Sequence, residues 1–384
     1  MILSKQTILP GQTIGIIGGG QLGRMMALSA KANGFRIAVL DPTEDSPCGQ
    51  VADVKIVSAY DDMNAIKQLA AISDIVTYEF ENISAEALDW LCENAYVPQG
   101  SHVLSQTQDR IKEKVAITKA GATVAPYAEI HATEDIYANI EALGFPAVLK
   151  TARGGYDGKG QYVIHNEAEI EKAKELLNHG ACVLEKFIPF QKEISVIVFR
   201  NLNGETAFLP VGENVHKDNI LHQTIVPARI SKLASQTALE EAKKIADDFE
   251  LVGTLAVEMF LGENDEIYIN ELAPRPHNSG HYSIEACETS QFEQHIRAVC
   301  NWPLASTELL KPAVMVNILG EHVEPLIQSI PAVTDWKVHL YGKAEAKFKR
   351  KMGHVTLLRD NVEEALREVE QSDIWQIAAE KIGG

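Results

Sequence analysis

Positive charge is scarce in this chain: 35 lysines and arginines stand against 53 aspartates and glutamates, a formal net charge of −18 over 384 residues. That balance excludes a general nucleic-acid or membrane-surface binder, which needs a spread of uncompensated cations. Any cationic function must therefore be local. Cysteine is sparse too. The five thiols, Cys48, Cys92, Cys182, Cys287 and Cys300, are odd in number and widely spaced, with no C-x-x-C pair for zinc or redox work. Reduced, structural thiols in a cytosolic protein are expected. No apolar run is long enough to span a bilayer, and Met1-Ile-Leu-Ser-Lys-Gln6 has no signal-like apolar core. Internal repeats and low-complexity segments are missing as well.

What is present is ordinary soluble-protein composition, 46% hydrophobic and 23% charged, in a chain too long for one hydrophobic core. From Thr13 a short apolar strand, a glycine turn, a helical stretch (25–32) and the strand Arg36-Ile-Ala-Val-Leu40 form a βαβ opening. Strand-like runs at 54–57 and 74–78 alternate with helical patterns at 63–71 and 85–94, which predicts a parallel sheet flanked by helices. The expected class is α/β. A first unit over 1–100 should end near Pro98-Gln-Gly100, a second run over 101–310, and a small C-terminal unit occupy 311–384.

The segment Lys150-Thr-Ala-Arg-Gly-Gly155-Tyr156-Asp157-Gly158-Lys159-Gly160-Gln161 follows the apolar run Ala147-Val-Leu149. Glycines without Cβ let backbone N–H groups close on a polyphosphate, and two lysines supply neutralising charge. This is not a Walker A loop, which would require Gly in place of Arg153 and a hydroxyl in place of Gly160. Downstream, Thr254 to Leu261 and Ile267 to Leu272 read as two strands around a turn-rich Gly262-Glu-Asn-Asp265. If Gly262 pairs with Ile267, counting back sets Glu258 opposite Glu271. Facing like charges destabilise a ladder. A cation between them, Mg²⁺ shared with phosphates, resolves the conflict, whereas a one-residue slip would send one glutamate to solvent.

Gly18-Gly-Gly20-Gln21-Leu22-Gly23 satisfies G-x-G-x-x-G, and Asp41 lies about twenty residues on, where a Rossmann domain carries its ribose-binding acid. A nicotinamide-dependent oxidoreductase is the rival reading. Against it, only about 100 residues precede the second unit, leaving little room for a two-half dinucleotide fold. Amides at a helix N-terminus suit any anion. Glu79, Glu81 and Asn82 sit where a parallel strand ends and are candidates for ribose hydroxyls, with Asn82 or Ser84 alternatively a helix cap. In Pro274-Arg275-Pro276-His277-Asn278-Ser279-Gly280-His281, prolines stiffen the backbone, and Arg275, His277 and Asn278 are candidates to hold a small planar oxyanion. A zinc site on His277 and His281 fails, because Pro276 and Gly280 disfavour the helix it needs. Lys343, Lys347, Lys349, Arg350, Lys351 and His354 reverse the local charge near the C-terminus and favour a phosphate site.

The glycine flap after Lys150, the run Val183-Leu-Glu185-Lys186-Phe187-Ile188, Glu193, Glu258 and Asn270-Glu271 together resemble the ATP-grasp superfamily over about 190 residues. Within it, the motifs at 18–25, 155–161, 273–281 and 350–354 are similar to the N5-carboxyaminoimidazole ribonucleotide synthetases of purine biosynthesis. The resemblance implies an N-terminal Rossmann-like domain, a two-part ATP-binding region with a flap subdomain at about 120–188, and a homodimer. It assigns ATP to Arg110, Lys150, residues 155–161, the 185–188 hinge, Glu193, His216, Asn270 and Glu271, and Mg²⁺ to Glu258 and Glu271. Gly20, Gln21, Leu22, Glu79, Asn82, Lys347, Arg350 and Lys351 would bind 5-aminoimidazole ribonucleotide, while Arg275, His277, Asn278, Tyr156 and Asp157 would serve the carboxylation by bicarbonate. A formate-dependent glycinamide ribonucleotide transformylase is the nearest alternative in the superfamily, biotin carboxylase a more distant one, and a noncatalytic nucleotide-binding regulator lies outside both.

Overall fold

A computed structural model describes residues 6–155 and 158–376. The N-terminal periodicities become four parallel strands, Thr13–Ile17, Arg36–Asp41, Val54–Val57 and Ile75–Tyr78, in the spatial order third, second, first, fourth. Helices Gln21–Ala32, Met63–Ile72 and Ala85–Asn94 connect and cover them. Their apolar residues split between two cores, one on each face: Ile14, Ile16, Ile37 and Val39 on one, Ile17, Ala38, Leu40 and Val76 on the other. Asp62 and Ser84 cap the second and third helices through Ala65 or Ala87 and neighbouring amides. Ser84 is thus the cap, and Asn82 stands exposed outside it.

Beyond this unit the strands of the described residues pair antiparallel, with one isolated parallel bridge between Val124 and Ile269. Tyr127–Ile130, Cys182–Lys186, Ala147–Thr151 and Gln161–Ile164 make a four-stranded sheet, in that order, over which helix Thr133–Leu143 packs. A nine-stranded sheet holds the rest. Its centre is Lys192–Arg200 paired with Gly253–Leu261, and helix Lys232–Asp248 lies on one face, with Ala234, Ala238, Ala242 and Ile245 set against Val196, Val198, Leu255 and Val257. Small residues at i, i+4 and i+8 let this helix approach the sheet closely. The C-terminal strands Ala313–Leu319, Lys351–Leu358 and Lys337–Leu340 continue the same sheet, because Ala313–Leu319 pairs with Ile220–Val226. The C-terminal region is therefore joined to the central one by a hydrogen-bonded ladder.

A buried polar chain ties the parallel sheet to the large one. Thr77, two residues before Glu79, and Thr254, four before Glu258, both hydrogen-bond His295, at 2.9 Å to Nε2 and 3.1 Å to Nδ1. The helix carrying His295, Gln291–Val299, also fills the groove between the two units with Phe292, Ile296 and Val299. Each end of the site is thus referenced to one imidazole. Ile245 is fully buried in the main core, so Ile245→Ala should destabilise the protein by about 2–5 kcal/mol, read as a lowered urea midpoint with unchanged slope.

Candidate active site

The hairpin of Gly253–Leu261 and Ile267–Ala273 does set Glu258 directly opposite Glu271. The route differs from the simple count. Leu261, not Gly262, pairs with Ile267, and the loop is correspondingly longer, closed by Gly262 N–H donating to the Glu266 carbonyl at 2.8 Å. Regular pairing from there would bring Asn270 opposite Glu258. A β-bulge at Asn270 adds one residue and restores the carboxylate pair. It also delivers a third side chain: Asn270 Oδ1 accepts from Lys150 Nζ at 3.2 Å.

Each carboxylate of the pair already has a cationic or hydrogen-donating partner. Glu271 accepts from Arg110 Nη1 at 3.1 Å, and Glu258 meets His277 Nε2 at 3.0 Å. Ser279 N–H donates to His277 Nδ1 at 3.3 Å, which leaves Nε2 as the protonated nitrogen facing Glu258. Burial would push the Glu258 carboxyl up, but His277, then His216 and Lys351, hold it well below the usual carboxylate range. His216 Nδ1 is paired with Glu193. Burial pulls the His216 imidazole down, yet its hydrogen bond and charge contact with Glu193 win and raise it. Glu193, His216 and Glu258 thus lie on one face of the large sheet.

Lys150, on the strand before the flap, reaches Glu185 Oε2 at 3.2 Å as well as Asn270. The flap is a hairpin between Ala147–Thr151 and Gln161–Ile164, with Lys150 paired to Gln161. Thr151 N–H donates to the Gly160 carbonyl at 2.8 Å to close its neck. Gly158, at φ +78°, packs against Asn219, whose side chain would lie 2.6 Å from a Cβ there. Lys159 lies in this turn, while Tyr156 and Asp157 lie outside the described residues. Glu185 is the surprise of the hinge. The hinge is expected to contact ATP, and here the Glu185 side chain is buried between Lys114 and Lys150. Lys186, Phe187 and Ile188 leave the strand from there, with Phe187 N–H donating to the Pro146 carbonyl at 3.2 Å.

The glycine loop at 18–23 is occupied by the protein's own carboxylates. Gly20 and Gly23 N–H groups donate to Glu79, and Gly19 N–H donates to Asp41 at 2.7 Å. Asp41 also accepts from Thr43 N–H and Tyr60 Oη. The residue at the Rossmann ribose position is therefore buried and engaged, which removes the main support for the nicotinamide reading. Gly23 is required by contact, since a Cβ would lie 2.6 Å from the Gly18 carbonyl. Leu22 points into the core, and Gln21 is half-buried at the loop. Burial, with a smaller contribution from Asp41, raises the Glu79 carboxyl despite its two amide hydrogen bonds.

Arg275 Nη2 bridges to Glu81 Oε1 at 3.0 Å, linking the central region to the N-terminal unit. Asn278 has both side-chain polar atoms buried without a hydrogen-bond partner among the described residues, the condition of a group made for a ligand. Of the basic run, Arg350 and Lys351 lie close enough to Lys343 to lower it, and Glu79 pulls the other way; with burial as the largest cause, the Lys343 ammonium falls to about 8. Lys347 is not part of this group: it is exposed and paired with Glu345 at 2.8 Å. Lys343 is the residue that sequence reasoning left unassigned, although it belonged to the same run.

Helix Arg110–Lys119 supplies two more such residues. Glu113 accepts from Leu272 N–H at 2.9 Å, next to Glu271, and Lys114 meets Glu185 at 3.2 Å. Glu113 is 2% exposed and Lys114 1%, while Val115 beside them is 50% exposed. This inverted pattern, with Arg110, Glu113 and Lys114 at i, i+3 and i+4, was the available signal. No group of three or more metal-ligating side chains is assembled among the described residues.

Three family models match in chain order: a ribonucleotide synthetase preATP-grasp domain over 11–108, an ATP-grasp domain over 115–292 and a phosphoribosylaminoimidazole carboxylase C-terminal domain over 313–368. The N5-carboxyaminoimidazole ribonucleotide synthase of Bacillus subtilis (strain 168) is 56% identical over 367 residues, 96% of this chain and 97% of that one. This chain belongs to the N5-carboxyaminoimidazole ribonucleotide synthase family. A solved N5-carboxyaminoimidazole ribonucleotide synthetase in complex with ADP is 60% identical, covers 97% of this chain and 98% of that one, and superposes with a TM-score of 0.95. An N5-carboxyaminoimidazole synthase from Aspergillus clavatus, in complex with ADP and 5-aminoimidazole ribonucleotide, is 32% identical over 95% and 99% of the two chains, with a TM-score of 0.89. Membership in this synthase family makes the chain an ATP-grasp enzyme, an ATP-dependent ligase, and decides against both the oxidoreductase and the formate-dependent transformylase.

The buried histidines of this family member make a stability prediction. His295 is neutral down to about pH 3 because burial disfavours its charged form, and His281 and His354 are held low for the same reason. The unfolded chain takes up those protons below the ordinary value of 6.5 and the folded chain does not, so stability falls as pH drops from 6.5, by up to ~1.4 kcal/mol per pH unit for each histidine. Thermal midpoints recorded between pH 7.5 and 4.5 should fall along this slope, and less steeply in His295→Gln.

Proposed function

We propose that the chain carboxylates 5-aminoimidazole ribonucleotide with bicarbonate at the expense of ATP, giving N5-carboxyaminoimidazole ribonucleotide, ADP and phosphate. The observation that carries this reading is the bulged hairpin, which presents Glu258, Asn270 and Glu271 together and leads directly into Arg275, His277 and the unpartnered Asn278. Hydroxide is a poor leaving group, so bicarbonate must first be activated; attack of a bicarbonate oxygen on the γ-phosphate gives carboxyphosphate. Arg275, His277 and Asn278 hold the oxyanion, with the guanidinium as a planar, two-pronged donor. Lys150 faces the phosphates, Arg110 and His216 flank them, and Glu193 receives the ATP ribose. The 185–188 hinge takes the adenine. The 5-amino group then attacks the carboxyl carbon, and the flap with Lys159 excludes water that would hydrolyse the acyl phosphate. Tyr156 and Asp157 are proposed to meet the amine from that flap.

Glu258 and Glu271 fit Mg²⁺: two hard carboxylate oxygens face each other, and phosphates complete the shell. Bound there, the ion would neutralise charge on the β- and γ-oxygens. For the ribonucleotide, Glu79 and Gln21 are proposed at the ribose and base, with the Gly20 and Leu22 backbone beside them. Lys343, Arg350 and Lys351 are proposed at its phosphate. Five free thiols support a reducing, cytoplasmic location, and the homodimer rests on the family resemblance.

ADP release from Mg-ATP should require both 5-aminoimidazole ribonucleotide and bicarbonate in CO2-stripped buffer. Turnover with bicarbonate but independent of the ribonucleotide would reject the substrate assignment. Glu271→Gln should lower kcat by about 100-fold or more with the fold intact, the loss of one charge-stabilising group at the reacting phosphate. EDTA should abolish turnover and excess Mg²⁺ restore it.

A further inference from the structure

Lys114 lies one helical turn beyond Arg110 and takes no part in the roles proposed above. Its ammonium is almost wholly buried, 3.2 Å from Glu185 Oε1, while Lys150 is 3.2 Å from Oε2 of the same carboxylate. It also sits 5.8 Å over the ring of Tyr127, which pairs with Glu185 across the sheet. Lys114 thus has a place built for it by helix Arg110–Lys119 and two strands. Its contact with Glu185 is electrostatic, without the angle of a hydrogen bond, whereas Lys150 donates to both Glu185 and Asn270. Two ammonium groups share one carboxylate, so the trio carries one net positive charge in a site shielded from water.

We propose that Lys114 is a positioning residue for Lys150: by taking half of the Glu185 carboxylate, it leaves the Lys150 ammonium with charge to offer to a phosphate and fixes the direction in which it is offered. This rests on the reading of Lys150 as a phosphate contact. The physical reason is charge competition at low dielectric. With Lys114 gone, Glu185 has Lys150 as its one close ammonium, the pair is neutral, and a buried ion pair is costly to open. Lys150 would then turn toward Glu185 and away from Asn270 and the metal-facing hairpin. The deeper lysine tunes the working one without touching the nucleotide.

The test is a set of variants in which the double preserves charge: Lys114→Met, Glu185→Gln, the double variant Lys114→Met/Glu185→Gln, and Lys150→Met. Steady-state KM values for ATP and for the ribonucleotide are measured, with calorimetric titration of a nonhydrolysable ATP analogue and thermal midpoints as a check on folding. Lys114→Met should raise the KM for ATP by about tenfold or more, the size of one weakened charge-assisted contact, and leave that for the ribonucleotide within about twofold. The double variant should recover most of that loss, since it removes the carboxylate that captures Lys150; a merely structural lysine gives no such rescue. If Lys114→Met does not fold, the double variant, which keeps the single net positive charge of the trio, still decides, because it should bind the analogue far better than Lys150→Met. A double variant no better than Lys114→Met, or an unchanged KM for ATP in Lys114→Met, overturns the proposal while Lys150→Met remains impaired. Unimpaired binding in Lys150→Met instead rejects the role of Lys150 itself.

Discussion

Facing carboxylates repel, and Glu258 and Glu271 face each other in the middle of a ladder whose other pairs are mostly apolar. The surrounding structure supplies what holds them there. Arg110 comes from a helix, His277 from the segment after the hairpin, and Lys150 reaches the intervening bulge from a different sheet. Three elements distant in sequence are drawn to one point by charge, where Lys150 of the four-stranded sheet meets Asn270 of the nine-stranded one. Hydrophobic packing forms the sheets and the helix Lys232–Asp248 behind them. It carries no information about which charged residues must converge; the compensated carboxylate pair does.

The N-terminal unit was legible because its periodicities are simple. Alternating and helical patterns predicted four strands and three helices, and the structure places their ends within a few residues of those positions. The hairpin was legible for partly the wrong reason: the turn is longer than a four-residue loop, and the bulge at Asn270 cancels the error. Bulges depend on both strands and on what the side chain is needed for, here Lys150, so counting along one strand cannot find them. The joining of Ala313–Leu319 to Ile220–Val226 is invisible for a related reason, since its residues are some ninety apart and neither strand's pattern names its partner.

Charged side chains show the limit most clearly. Lys343 and Lys347 have the same chemistry four residues apart, yet one is half-buried and feels the charge of Glu79 while the other pairs with Glu345 at the surface. The turn decides, with Lys349 held at φ +61° before the strand beginning at Lys351. Glu113 and Lys114 ran against the default that charged residues face solvent and Val115 the core. A helix whose apolar residue is exposed and whose charges are buried is answering to electrostatics, and only the arrangement of Glu185 and Leu272 opposite it reveals why.

The same consideration explains the division of labour between the two ends of the chain. A glycine loop at a helix N-terminus is a good anion site, and here the anion is Glu79, bound by the Gly20 and Gly23 amides. A ribonucleotide phosphate arriving at that loop meets amides already engaged and a carboxylate of its own sign. The compensating charge has to come from elsewhere, and Lys343, with Arg350 and Lys351 beside it, is brought within reach of Glu79 by strands that extend the central sheet. On the proposed reading, the N-terminal unit recognises sugar and base through a carboxylate, and the C-terminal strands supply cations for the phosphate. In a chain of net charge −18, that cationic run is affordable only because it is local, and the continuous sheet is what makes it local to the right place.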